Sequence, residues 1–378
     1  MSSGTRQRLI DAAIRLFSAT WYGTASVAEI CRMADVSNGA FYRHFRDKEE
    51  IFCAILEFVI KEIEKALQCL NEMAGAHRPE AFVSTIFAFS QDHTVLVRVF
   101  REGQYRFFEY ERRLKEVYYH AFEQAFRHRP GIAEYLYALG GLRFASIRSA
   151  FHQIPVKPQS LTAILRHGLL KPQPMDSGRV FSSSIIPLPI ELLPDSKTLL
   201  LRAGRQLFGE KGYFETNVHE ITSMAGLATG SFYRHFDSKE AFYSEVIRQV
   251  GRDVRRFITI NLGQNLNRLE REMRGLWLFL LFLSMDRYCY NIVREAEFVL
   301  PEEVRSYYES FRKGYLKQDN ADFLEDEMTS IEFMLGVAHY LGIEVVFDHS
   351  PQNARQVIEE LAGLYVGGLE GERVPRAS

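Results

Sequence analysis

Phe41-Tyr42-Arg43-His44-Phe45 recurs unchanged as Phe232-Tyr233-Arg234-His235-Phe236, 191 residues further along a chain of 378. Sliding the sequence by that interval extends the match in both directions. Leu9 meets Leu200, Phe17 meets Phe208, Tyr22 meets Tyr213, and Glu29-Ile30 meets Glu220-Ile221. Gly39 meets Gly230, and Lys48-Glu49 meets Lys239-Glu240. Self-similarity at about half the chain length means one structural plan used twice.

Each copy reads as a string of short helices. Ile10, Ala13, Ile14 and Phe17 recur at helical spacing across residues 5–20. Ser26-Val-Ala-Glu29 has capping-box spacing, in which hydroxyl and carboxylate satisfy each other's backbone donors, and it opens a second helix ending near Ala34. Asp35 then breaks the chain where the second copy has Gly226; glycine suits a positive-φ helix end and Asp tolerates one. The spacing predicts a third helix over 38–45 and a fourth from Asp47 to Leu70, with Glu50 completing another box.

On the third helix, at about 100° per residue, Phe41 and Phe45 point inward. Gly39, Ala40, Tyr42 and Arg43 face the other way, with His44 at the margin. Small residues let such a face lie deep in a groove, and phenol, guanidinium and imidazole groups donate to phosphates and base edges. Two short helices joined by a tight turn, the second carrying such a face, make a helix-turn-helix. The alternative is a short core helix whose polar residues are incidental.

The stretch resembles the TetR family of bacterial transcription regulators over about 45 residues per copy. The second copy carries Leu207-Phe208, Gly212-Tyr213, Ile221, Ala225-Gly226, Gly230 through Phe236, and Lys239-Glu240. The first departs with Trp21, Cys31 and Asp35 where Gly, Ala and Gly are usual. The resemblance implies an all-α fold, in which two helix-turn-helix domains are each followed by a helical bundle for ligand binding and dimerisation. It further implies that Tyr42, His44 and Lys48, with Tyr233, His235 and Lys239, contact phosphate. Asn38, Gly39, Ala40 and Arg43, with Thr229, Gly230, Ser231 and Arg234, would face base edges. Thr24 and Ser26, with Thr216 and Asn217, cap the second helix or touch backbone phosphate.

The expected organisation is a DNA-binding domain at 1–50, a regulatory domain at 51–171, a connector at 172–196, a second DNA-binding domain at 197–241 and a second regulatory domain at 242–378. The connector holds five prolines, from Pro172 to Pro194, and a Ser182-Ser183-Ser184 run. It reads as extended and semi-rigid, with Ile185, Ile186, Ile190 and Leu192 suited to packing on a domain. Both regulatory parts are rich in Phe, Tyr and Leu, which suits a small apolar effector as well as a plain core. Arg101, Glu102, Arg294, Glu295 and Glu297 interrupt apolar stretches; each either orients a ligand head group or joins a buried ion pair.

Net charge is −2 overall. Residues 1–190 carry 24 Lys and Arg against 19 Asp and Glu, a net of +5, and residues 191–378 carry 22 against 29, a net of −7. Any DNA contact must therefore rest on placed groups and not on a bulk positive field. Four dispersed cysteines and scattered histidines give no metal or disulfide pattern, no cofactor is expected, and no nucleophile or phosphate-loop motif points to an enzyme. The N-terminus lacks an apolar signal core, and Leu276–Leu283 is too short to span a bilayer, so a cytoplasmic protein is expected. The reading is a repressor released by an apolar effector, its two modules forming an intrachain pseudo-dimer on double-stranded operator DNA with or without further homodimerisation. The rival is a helical scaffold in which one or both motifs no longer bind DNA.

Overall fold

The computed structural model describes residues 2–189, 193–347 and 354–371, most of which lie in helices. Apart from one antiparallel bridge, Leu170 to Phe323, no β-pairing occurs among the described residues. The chain divides into two compact units. The first holds Met1–Gly131 and Leu142–Thr162; the second holds Ile132–Gly141 and Ala163–Ser378.

In the first unit the helix Ser2–Ala19 is followed by Val27–Ala34, Asn38–Phe41 and the long Lys48–Leu67. Ser26 and Glu29 form the expected capping box. Asp35 takes up the left-handed conformation, φ 52°, matching Gly226 at φ 68°. The third helix is a single turn, shorter than expected, although the Phe45 amide still bonds to the Phe41 carbonyl at 2.9 Å. Asp47 caps the fourth helix, but Glu50 reaches past it to the amide of Arg46, 2.6 Å away. Phe41 and Phe45 are buried, as are Phe17, Tyr22 and Phe52. Phe17 meets Phe52 edge-on at 4.9 Å, and Tyr22 lies 4.6 Å from Phe52. Such pairs add to the roughly 1.5–3 kcal/mol gained by burying each large apolar side chain. The bundle above is built from Arg78–Asp92, Thr94–Arg106, Phe108–Phe126 and Gly141–His152.

The second unit repeats the scheme with Ser196–Lys211, Val218–Met224, Thr229–Tyr233 and Lys239–Asn261. Asn217 and Glu220 supply the capping box, and Phe208, Phe232, Phe242 and Tyr243 form the aromatic core. Its bundle contains Arg268–Met285, Tyr288–Val299, Pro301–Tyr315, Glu327–Phe347 and Ala354–Gly367. No single helix among the described residues is long and apolar enough to cross a membrane.

Two features differ from the sequence expectation. Residues 132–141 and 163–171, read as part of the first regulatory domain, belong to the second unit. There Tyr137 is fully buried, donates its hydroxyl to the Ile164 carbonyl at 2.6 Å and meets Phe333 edge-on. The connector, expected to be extended, contains the short helix Ser177–Val180; its docking on the second bundle agrees with the expectation that part of it packs on a domain. Arg274 donates to the carbonyls of Val180 and Ser182 at 2.9 and 2.8 Å. Asn261 exchanges two hydrogen bonds with the backbone of Ile186. A proline-rich segment has few donors of its own, so its carbonyls are met by side chains of the bundle. Ile190 and Leu192 lie outside the described residues.

Candidate nucleic-acid interface

The two recognition turns expose the same pair. Tyr42 is 60% exposed and Tyr233 57%, well above a typical large aromatic, while the phenylalanines beside them are buried. Arg43, Asn38 and Gly39 are exposed with Tyr42, and Arg234, Thr229 and Gly230 with Tyr233. Ala40 and His44 are half-buried. His235 is exposed, and its Nε2 lies 2.7 Å from Ser196 Oγ at the start of the preceding helix.

Three expected contact residues are placed differently. Ser231 is buried, and its hydroxyl accepts from Arg234 Nη2 at 3.0 Å, so it orients the arginine and is turned away from the open face. Lys48 and Lys239 are also turned inward. Lys48 Nζ donates to the carbonyls of Tyr22 and Ala25 at 2.7 and 2.8 Å and sits 4.4 Å over the Tyr22 ring. Lys239 donates to Tyr213 and Thr216, both at 2.9 Å, and sits 4.3 Å over the Tyr213 ring. Each lysine thus ties the fourth helix to the turn between the first two, and burial pushes both below their ordinary pKa. Ser26 and Asn217 act as N-caps, and Thr216 donates its hydroxyl to the Gly212 carbonyl.

Tyr22 and Tyr213 are held from the other side by the helical bundles. Glu102, on the Thr94–Arg106 helix, accepts the Tyr22 amide at 2.6 Å. Glu295, on Tyr288–Val299, accepts the Tyr213 amide at 2.7 Å. These two carboxylates, read from sequence as ligand head-group contacts or members of buried ion pairs, each connect a bundle to its helix-turn-helix. The connection survives a change of turn geometry: Gly212 has φ 85°, whereas Trp21 at the matching position is not left-handed. Arg101-Glu102 and Arg294-Glu295 are visible in sequence as interruptions of apolar stretches, but the partner 80 residues from Glu102 is not.

Burial raises the Glu102 pKa from 4.5 to about 7, opposed by the Tyr22 amide and by Arg106. A carboxyl that keeps its proton more tightly when folded stabilises the fold at low pH. That contribution fades as pH rises from about 4.5 to about 7. We expect the Glu102→Gln variant, which keeps an acceptor oxygen, to lose this slope: its unfolding free energy should change between pH 4.5 and 7.5 by roughly 2–3 kcal/mol less than the parent's. Urea titrations at both pH values check this.

The bundles differ in free space. The second encloses a cavity of about 260 Å³, lined by Leu276, Phe279, Arg294, Glu297, Tyr307 and Phe311 among others. The first has a void of only about 40 Å³, with Arg101 on its wall and Arg143 beside it. Arg143 is buried there, paired to Glu111 at 2.6 and 3.2 Å. No group of His, Cys, Asp and Glu suited to a metal ion occurs among the described residues.

Residues 9–55 and 200–246 each match the family described as bacterial regulatory proteins, tetR family. The transcriptional repressor DhaR of Mycobacterium sp. (strain GP1) is 43% identical over 63 residues, 17% of this chain and 32% of its own length. The regulator BetI of Serratia proteamaculans is 32% identical over 97 residues, 25% of this chain and 49% of its own length. The chain therefore spans about a third to a half of the length of these relatives. Among solved structures, the fatty acid degradation regulator FadR of Bacillus halodurans aligns over 48% of this chain and 100% of that one, at 15% identity and a TM-score of 0.43. Both matched segments are thus helix-turn-helix segments of the TetR family, two in tandem in one polypeptide.

Proposed function

We propose that the chain is a DNA-binding transcriptional regulator, a repressor released by a small apolar effector, acting in a bacterial cytoplasm. The observation that carries this reading is the duplicated reading head: an exposed Tyr-Arg pair over buried phenylalanines, tied through a glutamate carboxylate to its own bundle. The two heads act as an intrachain pseudo-dimer. Each places its short third helix in the major groove, with half-sites about one helical turn, roughly 34–36 Å, apart. Because Asn38-Gly39-Ala40 differs from Thr229-Gly230-Ser231, the operator is an imperfect palindrome. The effector occupies the cavity of the second bundle. A shift of the Tyr288–Val299 helix, which carries both cavity residues and Glu295, moves the second head between competent and incompetent positions.

Selection from a random duplex pool tests the reading. One bipartite sequence should be enriched, and its affinity should fall steeply between 50 and 200 mM salt, because each phosphate contact releases counterions. Enrichment of no sequence would favour the scaffold reading, in which the heads dock proteins.

A further inference from the structure

The walls of the second cavity are not uniformly apolar. Arg255 and Arg271 both line it, and among the described residues neither has a carboxylate within ion-pair distance. Arg255 stacks 5.5 Å from the Phe311 ring and is half-buried, with its pKa lowered by burial. The Tyr307 hydroxyl, on the same wall, makes no hydrogen bond among the described residues. Of the two lining carboxylates, Glu272 is already satisfied by Arg268 at 2.7 Å and by the Tyr315 hydroxyl at 2.9 Å. Three lining arginines, counting Arg294, thus face Glu272 and Glu297, and the wall carries excess positive charge. A half-buried cation with no carboxylate beside it, and a phenol next to it with no protein acceptor, leave hydrogen-bonding capacity for an anion.

From this arrangement we infer that the second bundle binds one amphipathic anion per chain, its acidic head met by Arg255 and Tyr307 and its apolar body along Leu276, Phe279 and Val293. The inference rests on the proposed effector cavity and names the chemistry of its occupant. A volume of about 260 Å³ equals roughly nine water volumes, at roughly 30 Å³ each, which suits a medium-length chain. The first bundle takes none: its space is small, and its buried Arg143 already holds the carboxylate of Glu111.

Calorimetric titration of the full chain with decanoate, 1-decanol and decylamine tests this. Decanoate should bind at one per chain, and decanol and decylamine roughly ten-fold or more weaker, the value of a charge-assisted pair. In Arg255→Gln the advantage of decanoate over decanol should shrink to less than about three-fold. Gly275 lines the cavity with open space beyond its Cβ position, so Gly275→Leu should fill it and abolish binding of all three without straining the fold. Equal binding of decanol and decanoate by the parent chain would overturn the anionic head while leaving the apolar cavity standing. Binding of none would overturn the cavity reading itself. Two decanoates per chain, or binding that survives Gly275→Leu, would overturn the single-site assignment.

Discussion

Tyr233→Ala is expected to bind operator DNA roughly ten- to a hundred-fold more weakly than the parent chain while unfolding at the same denaturant concentration. The phenol is 57% exposed and its ring stands outside the core formed by Phe232 and Phe236. Removing it therefore leaves no cavity and orphans no buried group, and surface changes of this kind shift stability by about 0.5 kcal/mol or less. A hydrogen bond to a phosphate is charge-assisted and contributes about 1.5–3 kcal/mol, which sets the expected loss. Tyr42→Ala should behave alike, since Tyr42 is 60% exposed over the same arrangement of phenylalanines. Losing one head also removes the advantage of two linked contacts, so neither variant should be rescued by the other head. Fluorescence anisotropy with the selected duplex, paired with urea unfolding, measures both quantities.

The largest stability effect belongs to the first bundle. Arg143→Ala should destabilise its unit by about 3–5 kcal/mol, because it leaves the Glu111 carboxylate buried without its cation. The pair is bidentate, both residues are under a tenth exposed, and the guanidinium also lies 5.1 Å over the Tyr118 ring. Replacing both partners, Glu111→Leu with Arg143→Met, should recover most of the loss, since apolar side chains of similar volume do not carry the desolvation cost of two ions. Guanidinium unfolding of the single and double variants checks this. A single variant as stable as the parent would show that the pair does not hold the bundle shut.

The helix-turn-helix repeat was legible in sequence because its signals are local. Capping boxes, the Asp35 and Gly226 breaks and the inward phenylalanines depend on neighbours three or four residues away. What was not legible depends on partners distant in the chain. Lysine carries its charge on a long flexible stem, so Lys48 and Lys239 fit a phosphate contact or a turn staple equally well by spacing alone. Glu102 and Glu295 interrupt apolar helices as a ligand group would, yet their acceptors meet amides 80 and 82 residues away. Ser231 sits in a helix of only five residues, too short for periodicity to separate an open position from a covered one. The placement of residues 132–141 in the second unit follows from packing of Tyr137 against Phe333, which no window of sequence contains. Nor does composition distinguish a bundle with a cavity from one closed by Arg143 and Glu111.

The central claim is that one chain carries two working readers. Hydroxyl-radical footprinting of the selected duplex, with the parent chain and with each tyrosine variant, tests it most directly. The account predicts two protected half-sites about one helical turn apart, with Tyr42→Ala erasing protection at one and Tyr233→Ala at the other. A single protected half-site, or a footprint unchanged by Tyr42→Ala, would contradict it.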